Sequence, residues 1–191
     1  MTSAVDGVTK HVRSFFHGQD VTAVFQADGP IFRRVPEFRA LLVAPGDRLP
    51  RMWTYVSLGC WDASHNEVGH GTEFVMTVSQ PSDRHLLHLA MTAYYHAGSD
   101  HQRLDLGHTV PIGEGWTEGS NLDHFLVSLP YPFGPDLERC AWEGGHARLL
   151  WLLPITTAER DFKSTHGADA LERLFDEAAL HFWDADRPSV V

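Results

Sequence analysis

The sequence predicts a single α+β domain, with one mostly antiparallel or mixed sheet flanked by helices. Three observations predict it. Short stretches alternate apolar and polar residues, as half-buried strands do. Others repeat apolar residues at helical spacing, which marks one buried face. The two kinds interleave irregularly, without the βαβ rhythm of a parallel sheet. At 191 residues, 43% of them hydrophobic, the chain is long enough to bury one sizeable core.

Each element has its own signal. Val5, Val8, Val12 and Phe15/Phe16 recur at helical spacing, and Gly18 supplies a stop, so a first helix ends near His17. Residues 1–24 are read as this helix and its lead-in, and residues 25–191 as the main body of one compact domain. A short apolar run at 38–43, closed by Pro45-Gly46-Asp47, reads as a strand. So do the alternating stretches 51–59 and 73–79, the latter two paired antiparallel. Residues 62–66 are a turn-rich connection.

Ser82 N-caps a helix whose apolar stripe is Leu86/Leu87, Ala90/Met91 and Tyr94, with Gly98 as its end. Residues 104–112 hold a short extended piece around Gly107, and 113–121 form a glycine-rich loop too irregular for a tight hairpin. Residues 124–129 and 147–153 are the last strands. Pro154 is expected to end the latter, because proline cannot donate to a sheet ladder. Thr156 and Glu159 have the spacing of a capping box that opens a helical tail, and a final helix spans 168–183.

Composition excludes several function classes. A net charge of −10, with only Lys10 and Lys163 as lysines, argues against nucleic acid, whose binding proteins neutralise phosphates with basic side chains. Such a balance suits solubility or a basic protein partner. No stretch approaches the roughly 18 unbroken apolar residues of a membrane helix. The N-terminus lacks a continuous apolar core, so no signal peptide and a cytoplasmic location are expected. Cys60 and Cys140, without CxxC spacing, read as partly buried free thiols.

Catalytic motifs are not found. Thirteen histidines are the unusual feature, yet HExxH is absent, and His65, His70, His85, His88, His96, His101 and His108 lack zinc-site spacing. They read as surface and helix-cap residues, and no metal or other cofactor is expected. Gly69-His70-Gly71-Thr72 and Gly113-Glu114-Gly115-Trp116 match neither phosphate-binding glycine motif, and no GxSxG elbow occurs. Glu114, Glu118 and Asp123 supply loop carboxylates, which keep a metal-dependent hydrolase as an alternative. Aromatic residues, several of them in loops, suit protein recognition: Trp53, Trp61, Tyr94, Tyr95, Trp116, Tyr131 and Trp142. Core packing is preferred for Trp53 and Trp151.

The ordered segments resemble the suppressor-of-fused family. The matching pieces are Gly29-Pro30, the Trp53–Gly59 stretch, Glu73-Phe74, and Leu86-Leu87 to Tyr94. Further along come Gly107, Pro154-Ile155-Thr156 with Glu159, Gly167 with Leu171, and Asp186-Arg187-Pro188-Ser189. The resemblance covers roughly residues 25–191.

It implies an α+β, non-enzymatic protein-binding module. The family's animal member sequesters a transcription factor by clamping a peptide between two domains, and this sequence corresponds to the first of them. Short bacterial members are associated with immunity proteins that neutralise toxins. The resemblance makes Tyr94 the helix tyrosine that contacts peptide, and puts His108 where the animal member has a contacting aspartate. The expected function is therefore non-catalytic protein binding, as an immunity protein facing a basic toxin domain. The alternative within that class is a regulator that sequesters a peptide segment. The candidate contact residues are Tyr94, Tyr95, His108 and Trp116.

Overall fold

In the computed structural model, which describes residues 2–25 and 28–191, period-2 alternation sorts the strands' side chains to two faces. Strand β1 is Val21–Val24 and β2 is Arg39–Val43. In β2, Leu41 and Val43 join one core and Ala40 the other; in β3 (Trp53–Leu58), Val56 and Leu58 oppose Tyr55. Strand β4 is His70–Val78, β5 is Thr109–Pro111 and β6 is Leu122–Ser128. A short β7 (Arg139–Trp142) leads into β8 (Gly145–Thr156), the longest of these strands at 12 residues.

Among the described residues these make one eight-stranded mixed sheet, ordered β1-β2-β3-β4-β8-β6-β5, with β7 also on β8. The β4–β8 pair is parallel and the other pairs are antiparallel. β8 is therefore the spine. Its first residues pair with β7 and its last with β6, while β4 flanks the other side as far as Trp151.

Helices cover both faces. Helix α1 (Ala4–Phe15) and the short α4 (Pro135–Glu138) lie over Val56, Val75 and Leu149. Gly7 lets α1 approach closely, because a Cβ there would come 2.7 Å from the Trp142 ring. The short α2 is Cys60–Ser64. Helix α3 (Asp83–His96) covers the opposite face, over Phe74, Phe125, Leu150 and Leu152. Helices α5 (Thr157–His166) and α6 (Ala168–Glu177) return to the first face, where Leu171 and Phe175 pack on Trp151 and Leu153. Each such leucine or phenylalanine removed from water contributes on the order of 1.5–3 kcal/mol.

The fold is the expected single α+β domain, and five elements depart from the sequence reading. Pro154 does not end β8, which runs on to Thr156. Beyond Trp151, β8 has lost its β4 partner and is paired with β6 alone, an edge position where proline is tolerated. Strands β1 and β7, at 4 residues each, are too short to show alternation; the sequence reading leaves the first in the N-terminal lead-in and the second in the proline-containing segment between the last two strands. The 62–66 turn is largely the end of α2, and the last helix stops at Glu177.

The capping box is present as expected. Thr156 Oγ1 accepts from the Glu159 amide at 3.1 Å, and Glu159 accepts from the Thr156 amide at 2.8 Å. Glu159 does more than cap. It is fully buried and forms a two-pronged ion pair with Arg187, at 2.7 and 2.9 Å. Arg187 also donates to the Pro154 carbonyl at 3.0 Å, and the Val190 amide donates to Glu159 at 3.1 Å. Two motifs separated by 28 residues thus form one clasp that holds the C-terminal segment against the end of β8.

Candidate functional site

Helix α3 determines where the site lies. Ser82 caps it as expected, with its Oγ accepting from the His85 amide. Its buried face consists of His85, Leu86, Leu89, Ala90 and Ala93, with His88, Thr92 and His96. The stripe read from sequence was one step off in register. Leu87 and Met91 are exposed, and Tyr94 is half-buried. The helix is apolar over more of its circumference than the sheet can cover, so hydrophobicity alone did not locate the inner face. Leu87, Met91 and Tyr95, at i, i+4 and i+8, form a second apolar stripe that faces outward.

That stripe forms one wall of a groove of about 670 Å³. The other wall is β5, with Thr109, Val110 and Pro111, and Phe125 of β6 and Ile31 close it beneath. β5 is the last strand of the sheet on this side. Its even residues bond to β6, as the Ile112 amide to the Asp123 carbonyl at 2.9 Å shows. By alternation, the Thr109 main chain and the Pro111 carbonyl point away from β6, towards an edge with no strand partner among the described residues.

The polar groups of the groove are few. Tyr94 is held by Arg34, whose guanidinium lies 3.8 Å over the ring and donates to the Tyr94 carbonyl at 2.8 Å. His88, 2% exposed, reaches Glu114 through Nε2 at 3.3 Å, and Glu114 pairs with Arg84 at 2.9 Å. A carboxylate only accepts, so Nε2 carries the proton. Nδ1 then remains an acceptor, and it has no partner among the described residues. Burial lowers the His88 pKa while Glu114 opposes the shift; burial and the neighbouring His88 push His85 down to about 4.

The expected contact residues fall in different places. Tyr94 and Tyr95 both line the groove. His108 is exposed beyond its β5 end, with Nδ1 accepting from the Asp105 amide at 3.2 Å. Trp116 is 5% exposed, a core residue packed 4.5 Å from His85 and 5.4 Å from Phe125, so it supports the wall from behind. Sequence reading missed Leu87 and Met91 as surface residues. The signal was available: they extend the apolar stripe beyond the three or four positions per two turns that one buried face needs.

The histidines also need correction. His85, His88 and His96 are core residues rather than surface ones, at 5%, 2% and 3% exposure. They are tolerated there as neutral rings. His96 bonds to Ser64 and accepts from the Leu104 amide, with its pKa pushed down to about 4, chiefly by burial. His65, His70, His96 and His146 line a polar cleft of about 510 Å³. Yet among the described residues no three histidine, cysteine or acidic side chains are placed to hold a metal ion.

Both cysteines are buried and free. Burial pushes the Cys60 thiol well up and the Cys140 thiol up to about 12, the opposite of an activated nucleophile. Among the described residues one buried carboxylate, Glu73, has no cation beside it. Glu73 accepts from Ser57 at 2.5 Å and from the Gly59 and Trp61 amides at 3.0 Å, and burial drives its pKa up to about 7. Gly59, at φ 98°, supplies the left-handed turn that directs its amide to Glu73.

An open mixed sheet clad by helices on both faces, with an apolar groove along one edge strand, defines an α+β domain with a preformed concave site. A family model described as suppressor of fused protein (SUFU) matches residues 36–188. A SUFU homologue of known structure from Neisseria gonorrhoeae FA 1090 is 34% identical, with 98% of this chain and 97% of that one covered and a TM-score of 0.84. The chain belongs to the suppressor of fused family. The fold also recurs in the Sufu–Fu complex, at 14% identity, 99% and 93% coverage, and a TM-score of 0.76. It recurs again in Drosophila Suppressor of Fused, at 13% identity and a TM-score of 0.63, with 98% of this chain matching 51% of that one. No curated protein matches.

Proposed function

We propose that this chain is a non-catalytic protein-binding module that seats an extended segment of a partner in the groove between α3 and β5. One observation carries the reading: an unpaired strand edge runs beside an outward apolar stripe of Leu87, Met91 and Tyr95. An added strand would take its main-chain bonds from Thr109 and Pro111, and its alternate side chains would enter the apolar floor. That a relative of this fold was crystallised as the Sufu–Fu complex supports a protein partner. Tyr94 and Tyr95 are the aromatic anchors, and His108 flanks the far end.

The net charge of −10 favours a basic partner, and the specific role we propose is an immunity protein occluding a basic toxin domain. Co-expression with a toxin domain encoded beside it tests this role. Protection of growth that is lost in Met91→Asp is expected, and toxicity unaltered by the intact protein would sink the immunity role. A groove that instead sequesters a regulatory peptide would select extended sequences from a displayed peptide library. Selected peptides that bind Met91→Asp as well as the parent would sink the groove itself.

A further inference from the structure

The opposite face of the sheet carries another cleft, of about 440 Å³, between Tyr131, the Trp151–Leu153 side of β8 and α6. Its floor is apolar and buried: Trp151, Leu153 and Phe175 are 3%, 4% and 6% exposed. Its rim is acidic. Glu172 accepts from Ser128 at 3.1 Å and from the Tyr131 hydroxyl at 3.3 Å. Asp176, one turn along α6, lines the same cleft and is exposed, and its carboxylate has no partner among the described residues. The negative field there is strong enough to register on Tyr131. Burial, then the charges of Glu172, Asp176 and Asp169, raise its hydroxyl pKa.

One further feature marks this cleft as unfinished. Trp151 is part of that floor, and its indole Nε1–H has no acceptor among the described residues. A buried donor left unpaired is costly, and native proteins keep few of them. Ala179, on the wall, has φ 48°, the one non-glycine residue in the left-handed region among those described. That conformation ends α6: it lets the Leu180 amide donate to the Phe175 carbonyl at 2.9 Å and so shapes the wall. Phe182, three residues on, packs edge-on against the Trp151 ring at 5.1 Å.

We propose that this cleft recognises an arginine side chain presented on a loop of a basic protein partner. The guanidinium pairs with Asp176 and Glu172 while its flat faces rest on the aromatic floor. A main-chain carbonyl of the same loop becomes the acceptor that the Trp151 indole lacks, once Phe182 swings aside. Arginine fits better than lysine. Its planar, weakly hydrated cation both stacks on rings and forks onto carboxylates, whereas an ammonium is a strongly hydrated point charge. The −10 net charge adds long-range attraction for such a loop. The site lies on the face away from α3, so it stands or falls separately from the groove.

The test is a titration of the ¹⁵N-labelled full chain with the peptide Ac-Gly-Arg-Gly-NH2, read at the indole N–H resonances. The Trp151 signal is assigned through Trp151→Phe or, should that variant not fold, through sequential backbone-to-indole correlations. A saturable shift of the Trp151 indole is expected. Replacing arginine by citrulline, which keeps the shape and removes the charge, weakens it about tenfold or more. Asp176→Asn, on the exposed rim, weakens it in the same direction without changing the rest of the spectrum. A Trp151 indole that does not move overturns the proposal, as does equal binding of the citrulline peptide. A lysine peptide that binds as tightly as the arginine one overturns the guanidinium assignment.

Discussion

The Glu159–Arg187 clasp and the His85–His88 pair are both buried polar centres, and they are finished to different degrees. In the clasp, both carboxylate oxygens of Glu159 and both terminal nitrogens of Arg187 are bonded, and only Arg187 Nε lacks a partner. In the histidine pair, each ring keeps one unpartnered nitrogen, His85 Nε2 and His88 Nδ1. The clasp ties the segment around Arg187 and Val190 to the end of β8 and the start of α5. The imidazoles are on the inner side of α3, whose outer stripe of Leu87, Met91 and Tyr95 is apolar and exposed. The difference teaches where this fold places its stability and where it leaves a surface open: satisfied charge fixes the scaffold, and incomplete polarity sits beside the groove.

Breaking the clasp is the most damaging change. Arg187→Ala strands Glu159 as a fully buried carboxylate without its cation, a loss of about 3–5 kcal/mol. Urea unfolding of the variant should show it as a large drop in midpoint at unchanged slope. Adding Glu159→Gln removes the stranded charge, so the double variant should recover part of that loss. A single variant within about 0.5 kcal/mol of the parent would mean that the C-terminal segment is not held by this pair.

Acid and base pull the two kinds of buried group in opposite directions. Glu73 titrates at about 7 when folded, against an ordinary 4.5, so between those values the folded chain retains a proton that the unfolded chain releases. Its contribution to stability therefore falls as pH rises through that window. His85 and His96 titrate at about 4 when folded, against 6.5, so there the unfolded chain binds the extra proton. Their contribution rises with pH over 4 to 6.5. Each group adds a slope of at most about 1.4 kcal/mol per pH unit. Glu73→Gln should make stability climb more steeply with pH than in the parent, and His85→Gln should make it climb less. Parallel curves for both variants would mean that neither group is perturbed by burial.

How much of this was legible follows from the length of each signal. Helix α3, strands β2 to β4 and the capping box were readable because each has local chemistry: Ser82 at an N-cap, alternation in β3, and Thr156 with Glu159 at capping-box spacing. Strands β1 and β7, at 4 residues each, carry too little alternation to be seen. The clasp was half-legible. Both of its motifs stood out as landmarks of the resemblance, yet nothing in one dimension brings Arg187 to Glu159. The groove was legible as a helix and not as a surface. Leu86 and Leu87 look alike in sequence, and only the sheet decides that Leu86 goes in and Leu87 stays out. The buried histidines were misread for a related reason. A polar residue type argues for the surface unless its partners, here Ser64, Leu104 and Glu114, are known.

The finest comparison lies within α3 itself, between its two apolar faces. Leu89 is fully buried, and Leu89→Ala should cost about 2–5 kcal/mol through lost transfer energy and the cavity left behind. Leu87, two residues away and 41% exposed, makes no such contribution, so Leu87→Glu should stay within about 0.5 kcal/mol of the parent. Glutamate is as good a helix former, which removes propensity from the comparison. If Leu87→Glu leaves the unfolding midpoint unchanged and abolishes binding of groove-selected peptides, the outer stripe serves recognition and not the core. If instead it unfolds the protein as Leu89→Ala does, the outer stripe is packed in solution, and the groove is closed by part of the chain itself.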